Sequence, residues 1–228
     1  MSWICVVPVK GSAGAKSRLG DLPQSFPARG QLAEAFALDT VAALLATSMV
    51  EGVLVVTADL AAAAPLAALG AQIVAEEPGT AASTVRAGVP PAHHDPLNAA
   101  VRAGIRVAHT RFPHCNVAVL TGDLPALTVA DVETTLAAAS AHARAMVADE
   151  EGTGTTTLLA RAGLPFTPRF GPGSRATHEA AGHVPLDLPA TASIRRDVDT
   201  VENLAEVLRR GVGSHTSALI AASQVMPG

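Results

Sequence analysis

The stretch Val117–Leu127, VAVLTGDLPAL, constrains the fold of this chain more than any other. Four consecutive apolar residues, Val117 to Leu120, call for burial on both faces, which a strand obtains inside a parallel sheet covered by helices on each side. The run stops at Thr121-Gly122, where glycine permits a turn that other residues resist. Asp123 follows just past the strand, and Leu124-Pro125 fix the exit. Ligands of open α/β sheets bind outside the carboxyl ends of the strands, so position alone makes Asp123 a candidate for metal or nucleotide binding. Capping the next helix is the competing role, but Thr128 and Asp131 are better spaced for it.

Further strands are expected at Ile4–Val9, Val53–Val56, Ile73-Val74, Ala145–Ala148 and Thr156–Ala160, and more near Val184–Leu188 and Ser193–Arg196. Between them lie helical patterns. Leu32, Phe36, Val41, Leu44 and Leu45 recur at helical spacing within Ala28–Ser48, and Leu60–Leu69 is closed by Gly70. Asp95-Pro96-Leu97-Asn98 opens a helix with proline in its first turn. Val132, Leu136 and Ala139 face inward on another, and Arg175 and His178 open one after the Pro/Gly-rich loop Phe166–Ser174. Asp197-Val198-Asp199-Thr200 caps Val201–Arg210. Strands alternating with helices place the chain in the α/β class, with a Rossmann-like, mostly parallel central sheet flanked by helices. Such folds reach this length without splitting, so residues 1–228 read as one domain. The chemistry-bearing motifs lie within residues 3–211; the tail 212–228 shows a helical pattern at Ala218–Ala222 and nothing more.

Charge narrows the partners. A net charge of −4 argues against a general nucleic-acid surface. No segment approaches the roughly 18 continuous apolar residues of a membrane span. The N-terminus enters a strand directly without a signal-peptide charge pattern, which predicts a cytoplasmic protein. Cys5 and Cys115 form no spacing motif, hence no disulfide framework and no zinc site. His93-His94, His109 and His114 lack ligand spacing and read as exposed or capping residues.

Of 16 basic residues only Lys10 and Lys16 are lysines, and both lie in the loop after the first strand. GSAGAKS there is not a phosphate-binding Walker loop, because Ala15 stands where glycine must precede lysine. A small-residue loop carrying Lys10, Lys16 and Arg18 could still wrap a triphosphate; a solvated surface loop fits the composition equally well. The dinucleotide fingerprint G-x-G-x-x-G is absent from this first turn.

Three carboxylates stand at expected strand ends: Asp123, Asp197 and Asp199. Residues two apart in an extended segment point the same way, so Asp197 and Asp199 can face one ligand together. Grouped carboxylates suit Mg²⁺, typically held by one or two of them plus phosphates. Lysines after strand one and carboxylates later are the layout of a phosphoryl or nucleotidyl transferase.

VPVKGSAGAKSRL, DPLNAA, LTGDLPAL, GTGTTTL, RFGPGS and DVDTVENL together, in this order, resemble the CofC/FbiD family of guanylyltransferases of coenzyme F420 biosynthesis. The resemblance spans about Val7 to Leu204 and implies a GT-A-type nucleotidyltransferase fold, GTP as donor, Mg²⁺, and phosphoenolpyruvate or 2-phospho-L-lactate as acceptor. It assigns Asp123, Asp197 and Asp199 to metal, with Asp123, Asp197 and Lys16 as the catalytic set. Thr155, Gly171 and Ser174 would hold the acceptor; Lys10, Lys16 and Arg18 the GTP phosphates; Asp95 and Asn98 would lie near the nucleoside. Gly173 stands where the resemblance leads one to expect a polar residue. As partners it implies the two substrates and the downstream enzyme of the F420 pathway. Two other readings remain open: a related transferase acting on a molybdopterin or sugar phosphate, whose first loop should be Gly-Gly-rich, and a non-catalytic nucleotide-binding protein, expected to lack one of the carboxylates.

Overall fold

The computed structural model describes residues 1–9, 19, 22, 26–60, 63–76 and 95–224. Lys10, Lys16 and Arg18 fall outside them, as do His93-His94 and all but the ends of the long loop before Asp95. The described elements are β1 (Trp3–Pro8), α1 (Arg29–Leu45), β2 (Val50–Thr57), α2 (Ala64–Ala68), β3 (Gln72–Ala75), α3 (Pro96–Arg111), β4 (Asn116–Leu120), α4 (Val129–Ala139), β5 (Arg144–Ala148), β6 (Thr155–Ala160), α5 (Ser174–Ala180), β7 (Val184–Pro185), α6 (Val201–Arg210) and α7 (Ser214–Gln224). Seven strands join one sheet in the order β3-β2-β1-β4-β6-β5-β7. All pairs are parallel except those made by β6, which runs against both β4 and β5. The chain leaves β1 for β2 on one side and later returns to β4 on the other. That reversal opens a crevice at the carboxyl ends of β1 and β4.

Alternation along the strands sorts the core into two layers. Cys5, Val7, Val53, Val55, Ala118 and Leu120 pack with Val41 and Leu44 of α1 and with Val132 and Leu136 of α4. Ile4, Val6, Leu54, Val56, Val117 and Val119 pack with Val101, Ile105 and Ala108 of α3. These strands are buried on both faces, which is why they read as unbroken apolar runs. Helix α3 lies so close to the sheet that a Cβ on Gly104 would sit 2.4 Å from Val6 Cγ1 and 2.7 Å from Val56 Cγ2. A third cluster joins Leu32 and Phe36 of α1 to Val198 and to Leu204 and Val207 of α6. The buried Asp39 of α1 accepts the His215 and Thr216 N–H groups, each at 2.9 Å, and so pins the first turn of α7.

The expected strand near Val184–Leu188 is only two residues long, and that near Ser193–Arg196 is absent. Ser193–Arg195 forms a 3-10 turn instead. Asp131 explains the difference: its carboxylate accepts both the Ser193 N–H, at 2.8 Å, and the Ser193 hydroxyl, at 2.5 Å. Burial works against ionisation of Asp131, yet those Ser193 bonds and the Thr128 hydroxyl hold its carboxyl below the usual range. Helix α2 is shorter than expected, with Pro65 in its first turn. Among the described residues no helix is long and apolar enough to cross a membrane.

Candidate active site

Asp123 sits beyond β4, three residues past its end at Leu120. Gly122 before it does not adopt a left-handed turn; it is needed for proximity. A Cβ there would lie 3.1 Å from the Pro8 carbonyl oxygen and 3.3 Å from Val7 Cγ1, where the ends of β4 and β1 run together. Past Asp123 the backbone is anchored to α1, where the Thr40 hydroxyl accepts the Leu124 N–H at 3.1 Å. The Asp123 carbonyl in turn accepts the Val198 N–H at 3.1 Å, stitching the Asp197–Asp199 segment alongside. Val198 is fully buried against α6, so its two neighbours turn away from the core. A capping box between Thr200 and Asn203 then starts α6 and fixes the far end of the segment.

One carboxylate oxygen from each of Asp123, Asp197 and Asp199 can lie within 4.8 Å of the others. Asp197 and Asp199 therefore do face one point together, although from the exit of a 3-10 turn and not from a strand end. Burial, with Asp123, then Asp199 and more weakly Asp149 as like-charged neighbours, pushes the Asp197 carboxyl up to about 7. Three oxygen donors crowded against their own repulsion are the donor set of a hard divalent cation, which would relieve it.

A cleft of about 730 Å³ opens over this cluster. Its walls include Thr155, Gly171, Gly173 and Ser174, so the acceptor residues expected from the sequence share one cavity with the three carboxylates. Asp149 shapes one wall: its carboxylate accepts the Thr153 N–H at 2.9 Å and the Gly154 N–H at 2.7 Å. A Cβ at Gly154 would press on the Asp149 carboxylate and force it to shift, at the expense of those two bonds. Arg175 ties the opposite loop to it, through its guanidinium to the Gly152 carbonyl at 3.2 Å and its N–H to the Thr153 carbonyl at 3.2 Å. Gly173 takes φ +69° immediately before α5, which accounts for glycine where a polar residue was expected.

Asp95 and Asn98 border a smaller hollow of about 270 Å³ with Arg102, Thr167, Pro168, Arg169 and Phe170, while their neighbour Leu97 lines the main cleft. Asp95 caps α3 by accepting the Asn98 N–H at 3.1 Å. Asn98 is buried, and its amide pairs with both backbone groups of Phe170, donating at 2.9 Å and accepting at 2.8 Å. It therefore holds the glycine-rich loop in place.

The sequence reading missed Asp149 and Arg175 as loop-shaping residues, and it missed a buried histidine pair. His178 and His183 stack edge-on at 5.7 Å between the rings of Phe170 and Phe166. Burial holds the His183 imidazole below its ordinary pKa, chiefly outweighing a bond to the Ala145 carbonyl.

A family model described as guanylyl transferase, CofC-like, matches residues 3–223. The chain belongs to that family. A phosphoenolpyruvate guanylyltransferase of Streptomyces scabiei is 48% identical over 228 residues, covering 100% of both chains. One of Streptomyces coelicolor is 46% identical over 221 residues, covering 97% of each. Among solved structures, a nucleotidyl transferase from Methanothermobacter superposes with a TM-score of 0.53 over 92% of this chain and 99% of its own, at 18% identity. That likeness shows the shared fold, a mixed and mostly parallel sheet of the nucleotidyltransferase type flanked by helices. Membership makes the chain a guanylyl transferase by descent, and its carboxylate cluster suits the divalent metal such chemistry uses.

Proposed function

We propose that the protein is a single-domain cytoplasmic enzyme that joins GMP from GTP to the phosphate of phosphoenolpyruvate and releases pyrophosphate, a step of coenzyme F420 biosynthesis whose product passes to the next enzyme of that pathway. The observation that carries this is the convergence of Asp123, Asp197 and Asp199 on the cleft that Thr155, Gly171 and Ser174 also line. Relatives named phosphoenolpyruvate guanylyltransferase over their full length support the choice of substrates.

In this reading Asp123, Asp197 and Asp199 hold Mg²⁺, which when bound neutralises charge on the phosphates and orients them. Lys10, Lys16 and Arg18 would bind the triphosphate, Lys16 as part of the catalytic set, and Asp95 and Asn98 would lie near the nucleoside. Thr155 and Ser174 offer hydroxyls, and the Gly171 backbone an open approach, to the acceptor. The acceptor's phosphate oxygen is already ionised at neutral pH, so it attacks the α-phosphorus without a general base. The bond from that phosphorus to the bridging oxygen breaks, and pyrophosphate departs with the electron pair. The protein's contribution is positioning and electrostatics. Mass spectrometry of products formed from GTP crossed with phosphoenolpyruvate, 2-phospho-L-lactate and 3-phosphoglycerate tests the reading. A guanylylated phosphoenolpyruvate adduct as the dominant product is expected; dominance of another adduct, or none, overturns it.

A further inference from the structure

We propose that His178 is a positioning residue that presents the Thr155 hydroxyl as a hydrogen-bond donor to an anionic oxygen of the acceptor, an inference resting on the placement of the acceptor given above. His178 lies on α5, wholly buried, and its two ring nitrogens have different partners. The Arg169 backbone N–H points at Nε2 from 3.0 Å. A nitrogen that accepts a proton donor carries no proton of its own, so the backbone settles the tautomer: the ring hydrogen resides on Nδ1. Nδ1 is 3.0 Å from Thr155 Oγ1. The Thr155 oxygen therefore accepts from the ring, and its own proton has no acceptor among the described residues. Thr155 begins β6 on the wall of the cleft, so that proton is available to a ligand there.

The direction of this chain matters because phosphate and carboxylate oxygens only accept. With the opposite tautomer Thr155 would spend its proton on the ring and turn a lone pair toward the anion. A charged ring would fail differently, setting an N–H against the Arg169 N–H. Burial, then the neighbouring charges of His183 and Arg169, lower the His178 pKa to about 4, so the ring stays neutral through the physiological range. The T-shaped contact with Phe170, 5.4 Å between centroids, holds the ring plane.

The test joins spectroscopy to kinetics. In ¹⁵N-histidine-labelled protein at pH 7, His178 should show a protonated Nδ1 and an unprotonated, accepting Nε2; a protonated Nε2 overturns the proposal. In His178→Gln the amide oxygen reaches the place of Nε2 and keeps the Arg169 bond while the donor to Thr155 is lost. This variant should raise the KM for phosphoenolpyruvate about tenfold, the worth of one hydrogen bond to a charged group. Its KM for GTP and its kcat should stay within about twofold. Thr155→Val should match it, and the double variant should be no worse than either alone. Additive losses, or equal losses toward both substrates, overturn the proposal. An unchanged phosphoenolpyruvate KM in Thr155→Val would instead refute the acceptor placement, leaving the nitrogen shifts alone to decide whether His178 directs the hydroxyl.

Discussion

Asp123 joins two neighbouring segments: its backbone carbonyl holds Val198 while its carboxylate faces Asp197 and Asp199. Its removal separates function from folding. Asp123→Asn conserves shape, leaves the Val198 bond intact and removes a charge that crowds Asp197, so its denaturation midpoint should be no lower than that of the wild type. Turnover should fall by about 10²–10³ or more, the typical loss when a group facing developing charge is deleted. Parallel urea titration and steady-state assays measure the two quantities; near wild-type turnover with an unchanged metal optimum would remove Asp123 from the metal site.

The loop Phe170–Ser174 owes its place to an element distant in sequence but in the same core layer, because Asn98 of α3 pairs with both backbone groups of Phe170. Asn98→Ala leaves a buried N–H and C=O unpaired, which should cost on the order of 1–3 kcal/mol. The loop should loosen, raising the KM for the acceptor more than that for GTP; calorimetric melting with both KM values checks this. Elements of this kind differed in how far the sequence disclosed them. Strands β1, β2 and β4 were legible because double-sided burial writes an unbroken apolar run. Thr128 and Thr200 were legible as caps because capping is local. Ser193–Arg196 read as a strand since nothing local reveals that Asp131, 62 residues earlier, captures Ser193. Gly122 read as a turn residue when the constraint comes from the Pro8 carbonyl of another strand. His178 read only as part of a helix start and His183 not at all, because a histidine looks the same in sequence whether it meets water or a buried hydroxyl. Local physics was readable, whereas long-range capture was not. Asp123 was legible because the fold class marks the carboxyl end of β4, whereas Asp197 and Asp199 were grouped by their two-residue spacing on a strand that is absent.

For the whole molecule, the crowded carboxylates set a balance between stability and readiness for metal. Folding raises the Asp197 pKa from 3.8 to about 7, so between these values the folded chain keeps a proton that the unfolded chain has released. Stability of the metal-free protein must then fall as pH rises through that window and level off above it. Asp197→Asn abolishes the dependence. The excess stability of this variant over wild type in EDTA should grow from about pH 4 to about pH 7, by up to about 1.4 kcal/mol per unit, and then stay constant. Denaturation across that range measures it; a gap that does not change with pH contradicts the assignment. At pH 8, added Mg²⁺ should raise the wild-type melting temperature more than that of the variant.

Strand β6 runs against its neighbours, and this governs how the protein can change by descent. A parallel strand would deliver its last residue to the crevice; β6 delivers its first, Thr155, directly out of a tight hairpin from β5. Thr156, next along, faces elsewhere and gives its hydroxyl to the Ile194 carbonyl at 2.6 Å. A one-residue slip of β6 against β5 would exchange these two threonines and turn every side chain of the buried strand to the other face. Descent can therefore retune this wall by substitution, while any change in hairpin length must be taken up within residues 149–154 so that Thr155 keeps its face.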